Sequence, residues 1–211
     1  LTSSRYTLVP STNIGTLLLG QSASADLTAT VTFEDGVQTS MQTDSRVSFS
    51  ISDGCGTFAD SGSYKRLTID AGCRTSLVTV SATLTFGDVS ISTSRTFTVV
   101  WLQSLSVQLF YQDASTAFSS TQLKYRYACS SPSPTFHSLR VKTVGALTDG
   151  TTQTLSSGVS YSVSGGSLSG SGQTRTRSVS STGEVIVTAT ADPSPDGVTD
   201  SISVTAVEDA D

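Results

Sequence analysis

The sequence predicts an all-β protein built as two antiparallel β-sandwiches in tandem. Three observations predict it. Ser and Thr supply roughly a third of the chain and charged residues 14%, a composition lean in the residues that build helices. Apolar and hydroxyl residues alternate with period two, as in Val47-Ser48-Phe49-Ser50-Ile51, which puts every second side chain on one buried strand face. Finally, one succession of strands and turns occurs twice along the 211 residues. No segment carries a 3.6-residue period, so almost no helix is expected.

The first copy opens with the alternating run at Leu27–Phe33 and turns at Asp35-Gly36. It continues with Val47–Ile51, a turn at Asp53-Gly54, the run LVTVSAT (Leu77–Thr83) and a last strand TFTVVW (Thr96–Trp101). The second copy repeats the order: a strand from Leu139, Asp149-Gly150, Val159–Val163, Gly165-Gly166, EVIVTAT (Glu184–Thr190) and SISVTAV (Ser201–Val207). Alternation this regular marks half-buried antiparallel strands, and short strands between Gly, Asp and Pro turns indicate sandwiches. The expected domains are residues 1–102 and 103–211, the second with an added segment at about 111–137. Their boundary, VVWLQSLSVQLF, holds no Gly or Pro, so a stiff tandem is expected, with Trp101 packed on the opening strand of the second domain.

The shared pattern is L-x-A-x-V-x-(F/L)-x-D-G, then V-S-(aromatic)-S, a Gly turn and V-x-V-x-A-T. It resembles the bacterial immunoglobulin-like group 2 family over about 85 residues of each half. The resemblance implies immunoglobulin-like sandwiches of the kind found in adhesins, invasin-like stalks and surface filaments. The chain departs from the family twice. Phe49 and Tyr161 stand where the family usually has Trp, and the family does not require the pair Cys55 and Cys73.

Eighteen positions separate Cys55 from Cys73, with no C-x-x-C and a single His in the chain, so a zinc or redox centre is disfavoured. The two cysteines flank strands that are neighbours in a sandwich. A disulfide is the favoured reading and two buried thiols the alternative. A disulfide implies an extracellular or cell-surface setting. For Cys129 three readings stay open: a buried thiol, a bridge to a neighbouring module, or an intermolecular bridge. The chain starts at Leu1 without a signal-peptide pattern, and is read as a mature product or an excised fragment.

Much chemistry is disfavoured by composition. A net charge of −5 without a basic cluster argues against nucleic acid, and no apolar run reaches membrane-spanning length. His137 is the sole imidazole available as a catalytic base and lies between a Pro turn and a strand; with G-x-S-x-G absent, no enzyme activity and no cofactor are expected. Asp192, Asp196 and Asp200 form a weak candidate for Ca²⁺, against the simpler reading of a wide hairpin loop. O-linked sugars on the many hydroxyls and bare β-surface hydroxyls are weighted alike. Lys, the usual protector of edge strands, is scarce, so sugars or pairing with neighbouring subunits would have to serve.

The expected function is therefore a non-enzymatic extracellular structural segment: a stalk, fibre or surface-filament subunit. Its partners would be neighbouring repeats and other fibre subunits. The alternative is an adhesin-type module that recognises a carbohydrate or protein through residues 111–137, with Tyr111, Tyr125, Tyr127 and Phe136 as stacking faces.

Overall fold

The computed structural model describes residues 1–11, 21–111, 117, 122–126, 135–136, 139–164, 167–169, 175–178, 183–191 and 197–207. The chain divides into two compact units, Leu1–Trp101 and Leu102–Asp211. Among the described residues, helix is confined to one 3-10 turn at Ser52–Gly54.

The strands of unit 1 are β1 (Thr2–Ser3), β2 (Thr7–Leu8), β3 (Ser24–Thr28), β4 (Thr30–Thr32), β5 (Gln38–Ser40), β6 (Val47–Ile51), β7 (Gly56–Ser61), β8 (Tyr64–Ile69), β9 (Leu77–Phe86) and β10 (Val89–Val99). One sheet has the order β1-β3-β8-β7 and the facing sheet β2-β10-β9-β6, while β4 and β5 form a separate hairpin. This is the strand order of an immunoglobulin-type sandwich. The entering chain is shared between the sheets: β1 pairs antiparallel with β3, and β2 pairs parallel with β10. Alternation then does what the sequence anticipated. Leu27 on β3, Leu67 and Ile69 on β8, Val78 and Val80 on β9, and Phe97 on β10 are each fully buried between the sheets.

Unit 2 repeats the plan with β11 (Leu102–Tyr111), β12 (Gln122–Arg126), β13 (Thr135–Phe136), β14 (Leu139–Leu147), β15 (Thr152–Leu155), β16 (Val159–Val163), β17 (Ser167–Ser169), β18 (Arg175–Ser178), β19 (Gly183–Ala191) and β20 (Thr199–Val207). Its sheets run β11-β14-β18-β17 and β13-β12-β20-β19-β16, with β15 added to β14. Here too the entering chain serves both sheets, because β12 pairs parallel with β20. The segment at 111–137 is thus the enlarged link that carries the chain from one sheet to the other, with β13 added at the margin. Both Asp-Gly turns need a left-handed glycine, and Gly36 and Gly150 have φ of 82° and 83°.

Two details separate the units. Trp101, which the sequence placed on the opening strand of the second domain, packs against the core of unit 1, with the Arg74 guanidinium 5.9 Å from its ring. The second concerns the residues in the family's Trp position. In unit 1 Phe49 packs on Phe58, with ring centroids 5.7 Å apart. In unit 2 Tyr161 brings a phenol, and its hydroxyl lies 2.7 Å from Oγ1 of the fully buried Thr143. Counting from the Asp-Gly turns, Thr143 matches Ala29. The hydroxyl arrives in the same unit as the phenol, which keeps a buried polar group paired.

This coupling predicts a double-mutant result. Thr143→Val is expected to cost unit 2 about 1 kcal/mol, and adding Tyr161→Phe to recover most of it. Urea unfolding of the four variants measures the cycle; simple additivity would show that the pair is not coupled.

Candidate functional site

Cys55 and Cys73 are joined by a disulfide, S–S 2.08 Å and Cα–Cα 5.2 Å, and both residues are buried in the core of unit 1. Cys55 follows the 3-10 turn and Cys73 lies between β8 and β9. The bond therefore ties the β6–β7 connection to the β8–β9 connection. Main-chain bonds hold the two loops in the same place, since Asp70 N donates to Cys55 O at 3.1 Å and Cys73 N to Asp70 O at 3.1 Å. The Arg74 guanidinium donates to the Cys73 carbonyl at 2.7 Å beside the bond.

The remaining candidates are scattered. Cys129, Tyr127, His137, Asp192 and Asp196 lie outside the described residues. Tyr125 on β12 and Phe136 on β13 are register partners, with side chains outside the description. Tyr111 ends β11, partly exposed. Asp200 lies on β20, and its Oδ2 accepts from Val107 N at 2.7 Å. Its carboxylate is thereby engaged with main chain inside the sandwich rather than turned toward a loop. No group of three or more His, Cys, Asp or Glu that would hold a metal occurs among the described residues.

Charge is dispersed as exposed pairs. Arg46 binds Asp44 through two contacts, at 2.6 and 2.9 Å, and its guanidinium lies 4.5 Å above the half-exposed Phe86 ring. The Arg46 hydrogen bonds hold the Asp44 carboxyl down at about 2. Arg66 pairs with Asp26 at 2.8 Å, and Lys65 with Asp60 at 2.8 Å. Arg95 lies over Tyr6, 5.0 Å from the ring centroid.

Unit 1 also carries an apolar cleft between β4 and β10 that sequence reasoning missed. Every residue of Val89–Thr96 on β10 is exposed. Val89 and Ile91 are 63% and 61% exposed, and Phe33, just beyond β4, is 46% exposed. Between β4 and β10 lies an apolar cleft of about 180 Å³, lined by Ala29, Val31, Met41, Ala82, Leu84 and Ile91 among others. The one available signal was the scarcity of Lys on candidate edges.

Comparison with known proteins adds no family. No family model matches the chain, and no curated protein matches it. Among solved structures the chain is similar to a variant of an endo-fucoidan hydrolase from glycoside hydrolase family 107, at 11% identity and a TM-score of 0.29, over 97% of this chain and 28% of that one. It is also similar to a fragment of three immunoglobulin domains of titin, at 9% identity and a TM-score of 0.26, over 97% of this chain and 95% of that one. The chain spans little more than a quarter of the hydrolase's length.

Two predictions follow from the bond and the ion pair. Replacing Cys55 and Cys73 by Ser is expected to cost unit 1 about 3 kcal/mol by the loop-entropy model, with unit 2 unchanged, as read by denaturant melts. For Asp44, whose folded pKa is depressed, the stabilising contribution is present above the ordinary aspartate value of ~3.9 and is lost as pH falls through about 2. Carboxyl NMR titration should show that low midpoint, and Arg46→Ala should return it toward the ordinary value.

Proposed function

We propose that this chain is a non-enzymatic, load-bearing segment of an extracellular stalk, fibre or surface filament, of the bacterial immunoglobulin-like group 2 kind. One observation carries the reading: in each unit the entering strand and the departing strand are parallel neighbours. In unit 1 Thr98 N donates to Tyr6 O and Val100 N to Leu8 O, both at 2.9 Å. In unit 2 the pairing joins Gln122, Leu123 and Lys124 to Thr205, Ala206 and Val207. A pull on the two ends of such a unit drives these strands past each other along their length. The bonds between them are then loaded together in shear instead of being opened singly.

The disulfide supports the same reading twice over. It belongs to an oxidising compartment, and it shortens the length of chain that unit 1 can release under load. Serial use is supported by the direct passage of chain from one unit to the next, β10 ending at Val99 and β11 starting at Leu102. Of the four aromatics of the adhesin-type alternative, Tyr111 is described and partly exposed, while Tyr127 and the side chains of Tyr125 and Phe136 lie outside the description.

Single-molecule pulling of the full chain from its ends tests the proposal. Two separate unfolding events are expected. Reduction should lengthen the unit 1 step by about 6 nm, the reach of the 18-residue separation that the disulfide locks. Val100→Pro removes one donor from the parallel pair, and should lower the rupture force of unit 1 alone. Featureless extension at low force, or a rupture force indifferent to Val100→Pro, would defeat the load-bearing reading.

A further inference from the structure

We propose that the Cys55–Cys73 bridge, Arg74 and Trp101 form a latch on the end of β10, closed when the two thiols are oxidised. Closing it docks the indole of Trp101 on unit 1 and secures the last residues of the unit before Leu102. The inference goes beyond the load-bearing role and stands without it, because it concerns how the end of unit 1 is held and not whether force passes through it.

The latch begins in the turn Asp70–Cys73. Asp70 O accepts from Cys73 N at 3.1 Å, the closing bond of a four-residue turn, and Asp70 N donates to Cys55 O at 3.1 Å. The disulfide joins the same two connections and gives the turn a covalent hold on the stretch between β6 and β7. Arg74 follows directly. Its Nη1 donates to Cys73 O at 2.7 Å and to Ala71 O at 3.1 Å, so the guanidinium folds back over its own turn. From there it stands 5.9 Å from the ring of Trp101. Two carbonyls thus set the position of the cation, and the bridge at Cys73 sets the position of those carbonyls.

The same connection holds the end of β10 through its main chain. Val99 N donates to Ser76 O at 2.8 Å, while the next amide, Val100 N, turns the other way to Leu8 O at 2.9 Å. Trp101 comes next, half-buried, and packs on the cluster that contains both cysteines and Phe97. The indole therefore meets the disulfide-bearing core and also the guanidinium that the disulfide-held turn presents. A cation–π contact at a partly exposed site is too weak to order the connection from Asp70 to Ser76 by itself. The bridge removes that cost in advance, because it restrains the connection before the contact forms.

The second copy of the pattern lacks these parts as a set. Leu77 pairs with Thr98 as Glu184 pairs with Thr205, so by sequence Cys73, Arg74 and Trp101 correspond to Ser180, Ser181 and Glu208. Counting on from Val47–Ile51 and Val159–Val163, Cys55 corresponds to Ser167. Bridge, cation and indole occur together in one copy and are replaced together in the other, as expected of parts that act only in combination.

Closure is a two-electron exchange with a disulfide-bearing oxidant. One cysteine thiolate attacks the oxidant's S–S bond, the second cysteine attacks the resulting mixed disulfide, and the oxidant leaves as a dithiol. The two cysteines together lose two electrons and two protons, which the departing dithiol carries. Both cysteines are buried in the closed form, so the reverse exchange has to wait for the turn to open.

Trp101 is the only Trp of the 211 residues, so fluorescence of the full chain reads this position alone. The test compares the bridged chain with the Cys55→Ser, Cys73→Ser variant, each with and without Arg74→Ala. Native NMR shifts at Leu27 and Leu67 are expected throughout, showing that the sandwich stays folded. Loss of the bridge should move the Trp101 emission maximum to the red and raise its quenching by acrylamide. It should also speed amide exchange at Val99 at least about tenfold more than at Leu67. Arg74→Ala in the bridged chain should move the emission in the same direction, and in the bridgeless chain it should change little more. Unchanged emission and exchange on loss of the bridge would overturn the proposal. Additive effects of the two changes would overturn it as well, since the cation would then act on Trp101 independently of the bridge. So would loss of the native shifts at Leu27 and Leu67 in the bridgeless chain, which would make the bond a support of the whole core and not of its end.

Discussion

The division of the entering strand between two sheets is the constraint on which the rest of this structure depends. A sandwich of about 100 residues must hold two sheets face to face with a small core. In both units the chain pairs first with one sheet and then crosses to the other, β1 to β2 and β11 to β12. The crossing closes one side of the core and sets the entering strand parallel to the departing one.

β11 supplies ten residues to its sheet, and β1, as described, two. In unit 2 the first strand covers β14 to its end and packs along β20; in unit 1 a cleft with aliphatic walls lies between β4 and β10. The disulfide lies in other loops, those joining β6 to β7 and β8 to β9.

The paired differences between units show how a core keeps its polar groups satisfied as it diverges. In unit 1 Phe49 packs on Phe58, and in unit 2 the Tyr161 hydroxyl meets that of Thr143. Exchanging one member without the other would bury a group lacking its partner.

Period-two alternation, the Asp-Gly turns and the duplicated motifs determined the all-β class and the two sandwiches from sequence alone, because side-chain periodicity and left-handed turn positions are local properties. Val47–Ile51 and Leu77–Thr83 were legible for that reason. Strand neighbours were not: nothing local in Thr7-Leu8 or Gln122–Arg126 announces a parallel partner about 80 to 90 residues away. Nor does the pattern of Val89–Thr96 differ from that of a covered strand. Its exposure depends on what packs against it, which the residues of the strand do not themselves record. The tertiary structure alone decided which edges are closed, because closure depends on register and reach between strands far apart in the chain.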